Sequence, residues 1–254
     1  MQTITEIRHE LTKLKAPNDW TKELEADSRV GVRKLLASWQ KSCDKMEAIR
    51  LQHQEKIGFD VAHKKAPTDL VAGIDEAGRG PLAGPVVTAA VVFKEYDDAL
   101  IGINDSKILS REKRNAYAQI IKQHAFSFSI HIQPSAKIDE LNIYEATKMS
   151  MTEAVKQLGN QPDVLLVDAM SLPLRITQHS IIKGDAKSLA IAAASILAKT
   201  ARDDLMDELD KLYPHYHFSK NAGYGTALHL DALNKYGPTP IHRRSFEPVK
   251  SMMT

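Results

Sequence analysis

The chain is expected to fold as an α/β domain behind a helical extension, and three observations say so. From Asp69 onward short apolar runs alternate with stripes of helical period, the mark of strands and helices in succession. The stretch before it, Met1 to about Lys65, shows no strand-like alternation at all. Three of the apolar runs, or the turn leaving one, end in acidic residues: Asp75 with Glu76, Asp168 and Asp185. With 254 residues, 43% hydrophobic and 26% charged, the composition suits a soluble globular chain with a sizeable core. The longest nearly unbroken apolar run, Leu189 to Ala198, is half the ~20 residues a membrane span needs. Glu6 and Glu10 interrupt any leader-like apolar segment. One cysteine, Cys43, excludes an internal disulfide and a cysteine-based zinc cluster and fits a reducing compartment, so a cytoplasmic protein is expected.

In the extension, Ile4, Ile7, Leu11 and Leu14 share one stripe, Pro17 interrupts, and Val32, Leu35, Leu36, Trp39, Cys43 and Met46 form a second. It is thinly apolar and densely charged, with 13 Lys/Arg against 11 Asp/Glu through Asp69. It is either a substrate-contacting arm or an accessory bundle. The Ala66-Pro67-Thr68 stretch is the natural border, dividing 1–68 from 69–254.

Leu70 to Asp75 is a short apolar strand. Asp75 and Glu76, pointing to opposite faces of a strand, converge only if the strand ends there and the glycine-rich loop turns the backbone. Val86 to Phe93 is the next strand, and a tight return between the two is expected. Asn104-Asp105-Ser106-Lys107 precedes a helix capped by Ser110 and running through Tyr117 and Ile121. Phe126, Phe128, Ile130 and Ile132 alternate with polar residues as a half-buried strand. Ile138 to Leu158 carries one helical stripe, with Gly159 as its C-cap. Val164 to Val167 is a wholly apolar strand with Asp168 at its carboxyl end, where sites cluster in open α/β sheets. Ile176 to Ile182 is another strand, leading to Asp185 as N-cap of a helix from Ala186 to Leu212 that Pro214 ends.

That helix is rich in alanine and should be buried, yet Ser188, Ser195, Lys199 and Arg202 form a polar seam along it. The seam's cations either meet a phosphate or pair with acids such as Asp203. From Lys211 onward six Lys/Arg face only Asp231 and Glu247, with Tyr213, Tyr216, Phe218, Tyr224, Tyr236 and Phe246 interleaved. Such a tail either holds nucleic acid, by charge and stacking, or is a solvated surface over core aromatics.

A parallel core sheet would gather Asp75, Glu76, Asp168 and Asp185. Like charges at close range either raise a pKa or require divalent cations. Donors that are all oxygen favour Mg²⁺ or Mn²⁺ over zinc. A pair of such ions ~4 Å apart activates water and stabilises the entering and leaving oxygens of a phosphodiester displacement. Residue types and spacing thus lead to metal-dependent phosphoryl chemistry.

GIDEAGRGPLAGPVV from Gly73 to Val87, the DSK at Asp105 to Lys107, LLVDAM around Asp168, KGDAKSLAIAAASILAKTARD from Lys183 to Asp203, GYGT from Gly223 to Thr226 and HRRSF from His242 to Phe246 together resemble the bacterial ribonuclease HII family. The resemblance covers about residues 69 to 250. It implies a ribonuclease H-like mixed sheet flanked by helices, with a C-terminal helical tail, and a monomer using Mn²⁺ or Mg²⁺. It implies hydrolysis of RNA paired to DNA and cutting on the 5′ side of single ribonucleotides embedded in duplex DNA. By the same resemblance Asp75, Glu76, Asp168 and Asp185 are the catalytic metal-binding tetrad. Gly78, Arg79 and Gly80 match the loop that senses the ribose 2′-OH, the group separating RNA from DNA. Tyr224 matches a tyrosine that stacks on the next deoxyribose, and Lys107, Lys183 and Ser195 are similar to phosphate-contacting positions. Arg79, Asp185 and the helical N-terminus separate the chain from the sister family, ribonuclease HIII.

Two other readings are weaker. Gly78, Gly80 and Gly84 suggest a nucleotide cradle, but G-x-G-x-x-x-G fits neither the dinucleotide nor the P-loop fingerprint. A non-catalytic nucleic-acid-binding module would suit the tail and the extension, but convergent carboxylates oppose binding to phosphates.

Overall fold

The computed structural model describes residues 2–253, and the chain divides into two compact units between Gln54 and Glu55. The first is helical. Helix α1 (Ile4–Lys13) starts on a reciprocal cap between Thr3 and Glu6, and α2 (Asp19–Glu25) on one between Asn18 and Thr21. Pro17 lies between them. Ile7, Leu11, Leu24 and Val32 make a small buried cluster with Trp39 packed against it. Helix α3 spans Val30–Ala62, so its last turns, from Glu55, belong to the second unit.

The second unit is built on strands β1 (Val71–Ala77), β2 (Val86–Val92), β3 (Ser127–Gln133), β4 (Val164–Asp168) and β5 (Thr177–Ile181), with helices α4 (Arg111–His124), α5 (Ser135–Leu141), α6 (Ile143–Lys156), α7 (Gly184–Lys187), α8 (Leu189–Leu212), α9 (Phe218–Asn221) and α10 (Ala227–Tyr236). The sheet order is β3-β2-β1-β4-β5. The β1–β2 and β2–β3 pairs are antiparallel, while β4 lies parallel to β1 and β5 parallel to β4. The mixed sheet therefore has its hairpins on one side and its crossovers on the other.

Helix α8 covers one face, its alanines packed on Ala89 and Val91, and α6 covers the other through Met151, Ala154 and Val155. At Gly73 the approach is closest: a Cβ there would sit 2.1 Å from the Ala190 carbonyl carbon. The absence of a side chain lets α8 lie directly on β1, and this sets the depth at which α8 presents Ser195.

Three elements differ from the periodicity reading. The stripe from Ile138 to Leu158 is two helices, because Asn142 takes a φ of 70° and its side-chain oxygen accepts the Tyr144 and Glu145 N–H groups. Its side-chain cap on two N–H groups holds asparagine in this uncommon conformation and restarts the helix there. Gly159 is not the C-cap; its N–H donates to Ser127 Oγ at 3.0 Å. Asp185 is not the cap of the long helix either. The chain first makes the single turn α7, and Ser188 Oγ accepts the Ile191 N–H at 3.1 Å to start α8.

Strand β3 alternates as expected, but with its polar face inward. Ser127, Ser129 and Gln133 are buried, while Phe126, Phe128 and Ile132 are partly exposed, at 37–46%. The covering helix supplies polar partners: Ser129 Oγ donates to the Ala154 carbonyl, and His131 Nδ1 pairs with Ser150 Oγ at 2.8 Å. The C-terminal aromatics divide between both readings. Tyr216 and Phe218 are core residues beside Leu233 and Val249, whereas Tyr224 and Tyr236 are about half exposed. No described helix is long and apolar enough to cross a membrane.

Candidate active site

The last β1–β4 pair is Ile74 with Val167, so Asp75 and Asp168 are the next residues on two adjacent parallel strands. The expectation that β1 stops at Asp75 does not hold. The strand runs on to Ala77, pairing Asp75 with Ala89 and Glu76 with Thr88. Strand β4 ends at Asp168, whereas β1 continues to Ala77 along β2. Ligating oxygens of Asp75, Glu76 and Asp168 lie within 4.8 Å of one another. Asp185 is outside this group of three. It sits on α7, whose Gly184 N–H donates to Asp168 Oδ1 at 2.8 Å, so the turn carrying the fourth acid is tied to the third.

The electrostatics are those of an acidic cluster kept from water. Burial, then the charges of Glu76 and Asp168, push the Asp75 carboxyl well above the usual carboxylate range, against help from Ser195 and the Glu76 N–H. Burial also raises Glu76, opposed by Arg79 and reinforced by Asp168. Asp185 is raised by burial and then by Asp105. Glu76 Oε2 is buried without a hydrogen-bond partner. An all-oxygen donor set with an orphaned carboxylate oxygen and mutual repulsion fits a hard divalent cation, which would satisfy the one and relieve the other.

Beside the acids lies a cleft of about 290 Å³, lined among others by Glu76, Arg79, Lys107, Ser195 and Tyr224. Gly78 has a φ of 97°, and a Cβ on it would meet Arg202 Nε at 2.0 Å, so glycine is required on both counts. Two buried arginines hold this loop by its main chain. Arg243 donates to the carbonyls of Arg79 at 2.8 Å, of Gly84 at 3.0 Å and of Gly78. Arg202 donates to those of Pro85, Ala83 and Ala222. With carbonyls committed to the interior, the loop is rigid and its outer side is free. Arg79 itself is exposed, 3.5 Å from Glu76 Oε1. A Cβ at Gly80 would touch the Tyr224 ring at 3.5 Å, placing that exposed ring against the loop.

The remaining residues singled out in the sequence separate. Lys107 lies in the cleft; its partial burial disfavours the charge, but Asp105, Asp185, Asp75 and Asp168 hold its pKa above the ordinary value. Ser195 is nearly buried, 3.0 Å from Ser106 Oγ and bonded to Asp75, so its hydroxyl steadies an acid at the cleft wall. Lys183 is exposed with a φ of 55°, just before α7 and away from the cleft lining. In the polar seam, Lys199 pairs with Asp203 and Arg202 points inward. Arg243 was legible only as part of a motif, and Lys56 and Asp60 were not singled out at all. Lys56 donates to the Asp185 carbonyl at 2.7 Å, and Asp60 accepts the Ala190 N–H at 3.0 Å. Their spacing of four was the available signal.

A family model described as ribonuclease HII matches residues 72–249, and one described as the ribonuclease HII N-terminal domain matches 3–62. The chain is 51% identical to ribonuclease HII of Lactobacillus helveticus over 97% of its length and 98% of that protein. It is 47% identical to that of Bacillus pumilus over all of both. Among solved structures it resembles ribonuclease H2 from Pyrococcus horikoshii, with a TM-score of 0.63 and 28% identity, over 72% of this chain and 96% of the other.

Proposed function

The chain belongs to the ribonuclease HII family of nucleases, and from that premise we propose an endoribonuclease that hydrolyses the RNA strand of RNA–DNA hybrids and cuts 5′ to single ribonucleotides in duplex DNA. The observation that carries this reading is the triad of carboxylates converging beside a loop held rigid by Arg202 and Arg243.

In this reading Asp75, Glu76, Asp168 and Asp185 hold Mn²⁺ or Mg²⁺. Two such ions, when bound, supply activation of a water and charge stabilisation on both reacting oxygens. The chain's own residues do the selecting. Gly78 and Gly80 present backbone groups to the ribose 2′-OH, which only RNA offers. Arg79 and Lys107, both in the cleft, offset phosphate charge, and Lys183 meets the strand farther out. Tyr224 stacks on the deoxyribose that follows, and Ser195 orients Asp75. The water oxygen bonds to phosphorus, the P–O3′ bond breaks and the proton passes to O3′, leaving 3′-hydroxyl and 5′-phosphate ends.

We further propose a monomer acting in the cytoplasm, with residues 69–254 as catalytic part and 1–68 as a helical extension whose turns from Glu55 pack with it. The test is a DNA duplex bearing one ribonucleotide, incubated with Mg²⁺ or Mn²⁺ and mapped for its cut. A single incision 5′ to the ribonucleotide is expected. No incision, or equal cutting of an all-DNA duplex, refutes the reading.

A further inference from the structure

We propose that Lys56, on the last turns of α3, is a positioning residue for Asp185 and thereby for the metal site. The inference rests on reading Asp185 as a metal ligand. Lys56 is only 1% exposed, which for an ammonium needs a reason. Its Nζ donates to the main-chain carbonyl of Asp185 at 2.7 Å and to Asn104 Oδ1 at 2.9 Å. The same Asn104 oxygen accepts the Asp105 N–H at 2.9 Å. One buried cation thus ties together the loop of Asp105 and Lys107 and the turn of Asp185.

That turn has little of its own to hold it. α7 is four residues long, its first residue follows Lys183 with no side-chain cap, and the extended backbone of Ser188 interrupts the helix before α8. Asp185 therefore depends on outside contacts, which are Gly184 to Asp168 on one side and Lys56 on the other. One helical turn after Lys56, Asp60 accepts the Ala190 N–H at the start of α8. Lys56 and Asp60, four apart on one face, grip the two sides of the α7–α8 junction. Only Lys56 touches the residue whose carboxylate must be placed within about 0.5 Å for productive ligation.

The experiment uses the full chain and MnCl₂ alone, titrated calorimetrically, with turnover measured in parallel. Lys56→Met, which keeps length and removes the donor, should weaken Mn²⁺ binding by roughly 10-fold or more and lower kcat by about 10- to 100-fold, the range for lost outer-shell partners. KM for the duplex should stay nearly constant, because the cleft is untouched. Asp60→Asn, a change in the same helix away from Asp185, should leave Mn²⁺ affinity unchanged. Unaltered Mn²⁺ affinity in folded Lys56→Met, or equal weakening in Asp60→Asn, overturns the proposal. If Lys56→Met does not fold, Asn104→Ala decides: removing the second anchor should weaken Mn²⁺ binding in the same direction, and no change overturns the inference. If the unaltered chain binds no Mn²⁺, the metal reading of the acids fails and this inference with it.

Discussion

Asp168→Asn separates function from stability with opposite signs. Asparagine keeps an oxygen where Asp168 Oδ1 accepts the Gly184 N–H, so α7 and Asp185 stay in place. What it removes is one charge from a group whose oxygens lie within 4.8 Å. At such a separation two full charges repel by roughly 3.5 kcal/mol at an effective dielectric of ~20. Burial and neighbouring charge already raise both the Asp75 and the Glu76 carboxyl above the usual range, so only part of that repulsion, about 1–2 kcal/mol, is recovered. The metal-free variant should therefore melt roughly 2–6 °C above the unaltered chain. Turnover should fall by more than the ~100-fold typical of outer-shell changes, while binding of the ribonucleotide-bearing duplex in Ca²⁺ is retained. The assays are metal-free thermal melts and single-ribonucleotide incision in Mg²⁺. Turnover near that of the unaltered chain, or a clearly lower melting temperature, would refute the account of the acids as a repelling cluster that ligates metal.

Three further changes follow from the same geometry. Arg243→Lys keeps the charge but cannot reach the carbonyls of Gly78, Arg79 and Gly84 together. Losing about two charge-assisted bonds should cost about 3–5 kcal/mol, read by urea denaturation, and narrow the preference for ribonucleotide-bearing over all-DNA duplex; an unchanged preference speaks against the loop's rigidity as its basis. Gly73→Ala puts a methyl 2.1 Å from the Ala190 carbonyl carbon and should destabilise by about 3 kcal/mol or more, the upper range of overpacking; a normal denaturation midpoint would mean that α8 can shift freely. Burial first, against hydrogen bonds from Ser188 and the Ala190 N–H, raises Asp60 from 3.8 to about 6. A raised carboxyl pKa means the folded state binds more protons, so this contribution is present below the ordinary value and lost as pH rises through about 6. Asp60→Asn should therefore gain relative to the unaltered chain by up to about 3 kcal/mol between pH 4 and 8; a difference in melting temperature independent of pH counts against it.

Much of this protein is legible along the chain because its signals are local. Apolar runs of strand length, a glycine loop and acids at run ends are each contained in a few neighbouring residues, and their order identified the family. Where the reading went astray, a partner distant in sequence had intervened at β3 and at Arg202, and a local side-chain cap at Asn142. The inward face of β3 is polar because α6 presents Ser150 and the Ala154 carbonyl to it. The stripe after Ile138 is cut because the side chain of Asn142 satisfies the next helix's N–H groups. Arg202 looked like a phosphate contact on a polar seam, but its donors are taken by three carbonyls 20 or more residues away.

The amino-acid sequence by itself marked the acids, glycines and a tyrosine as candidates for one site, since residue type sets what a carboxylate, a left-handed glycine or an aromatic face can do. Only the tertiary structure decided how they meet. Asp75 and Asp168 come together because β1 and β4 pair in parallel up to Ile74 and Val167, a fact of strand pairing that neither strand contains alone. The loop of Gly78 is rigid because Arg243, 165 residues away in the chain, accepts burial in exchange for its carbonyls. Buried charges have to find their partners across the fold, and for that reason the residues that steady this site are the ones a linear reading passes over.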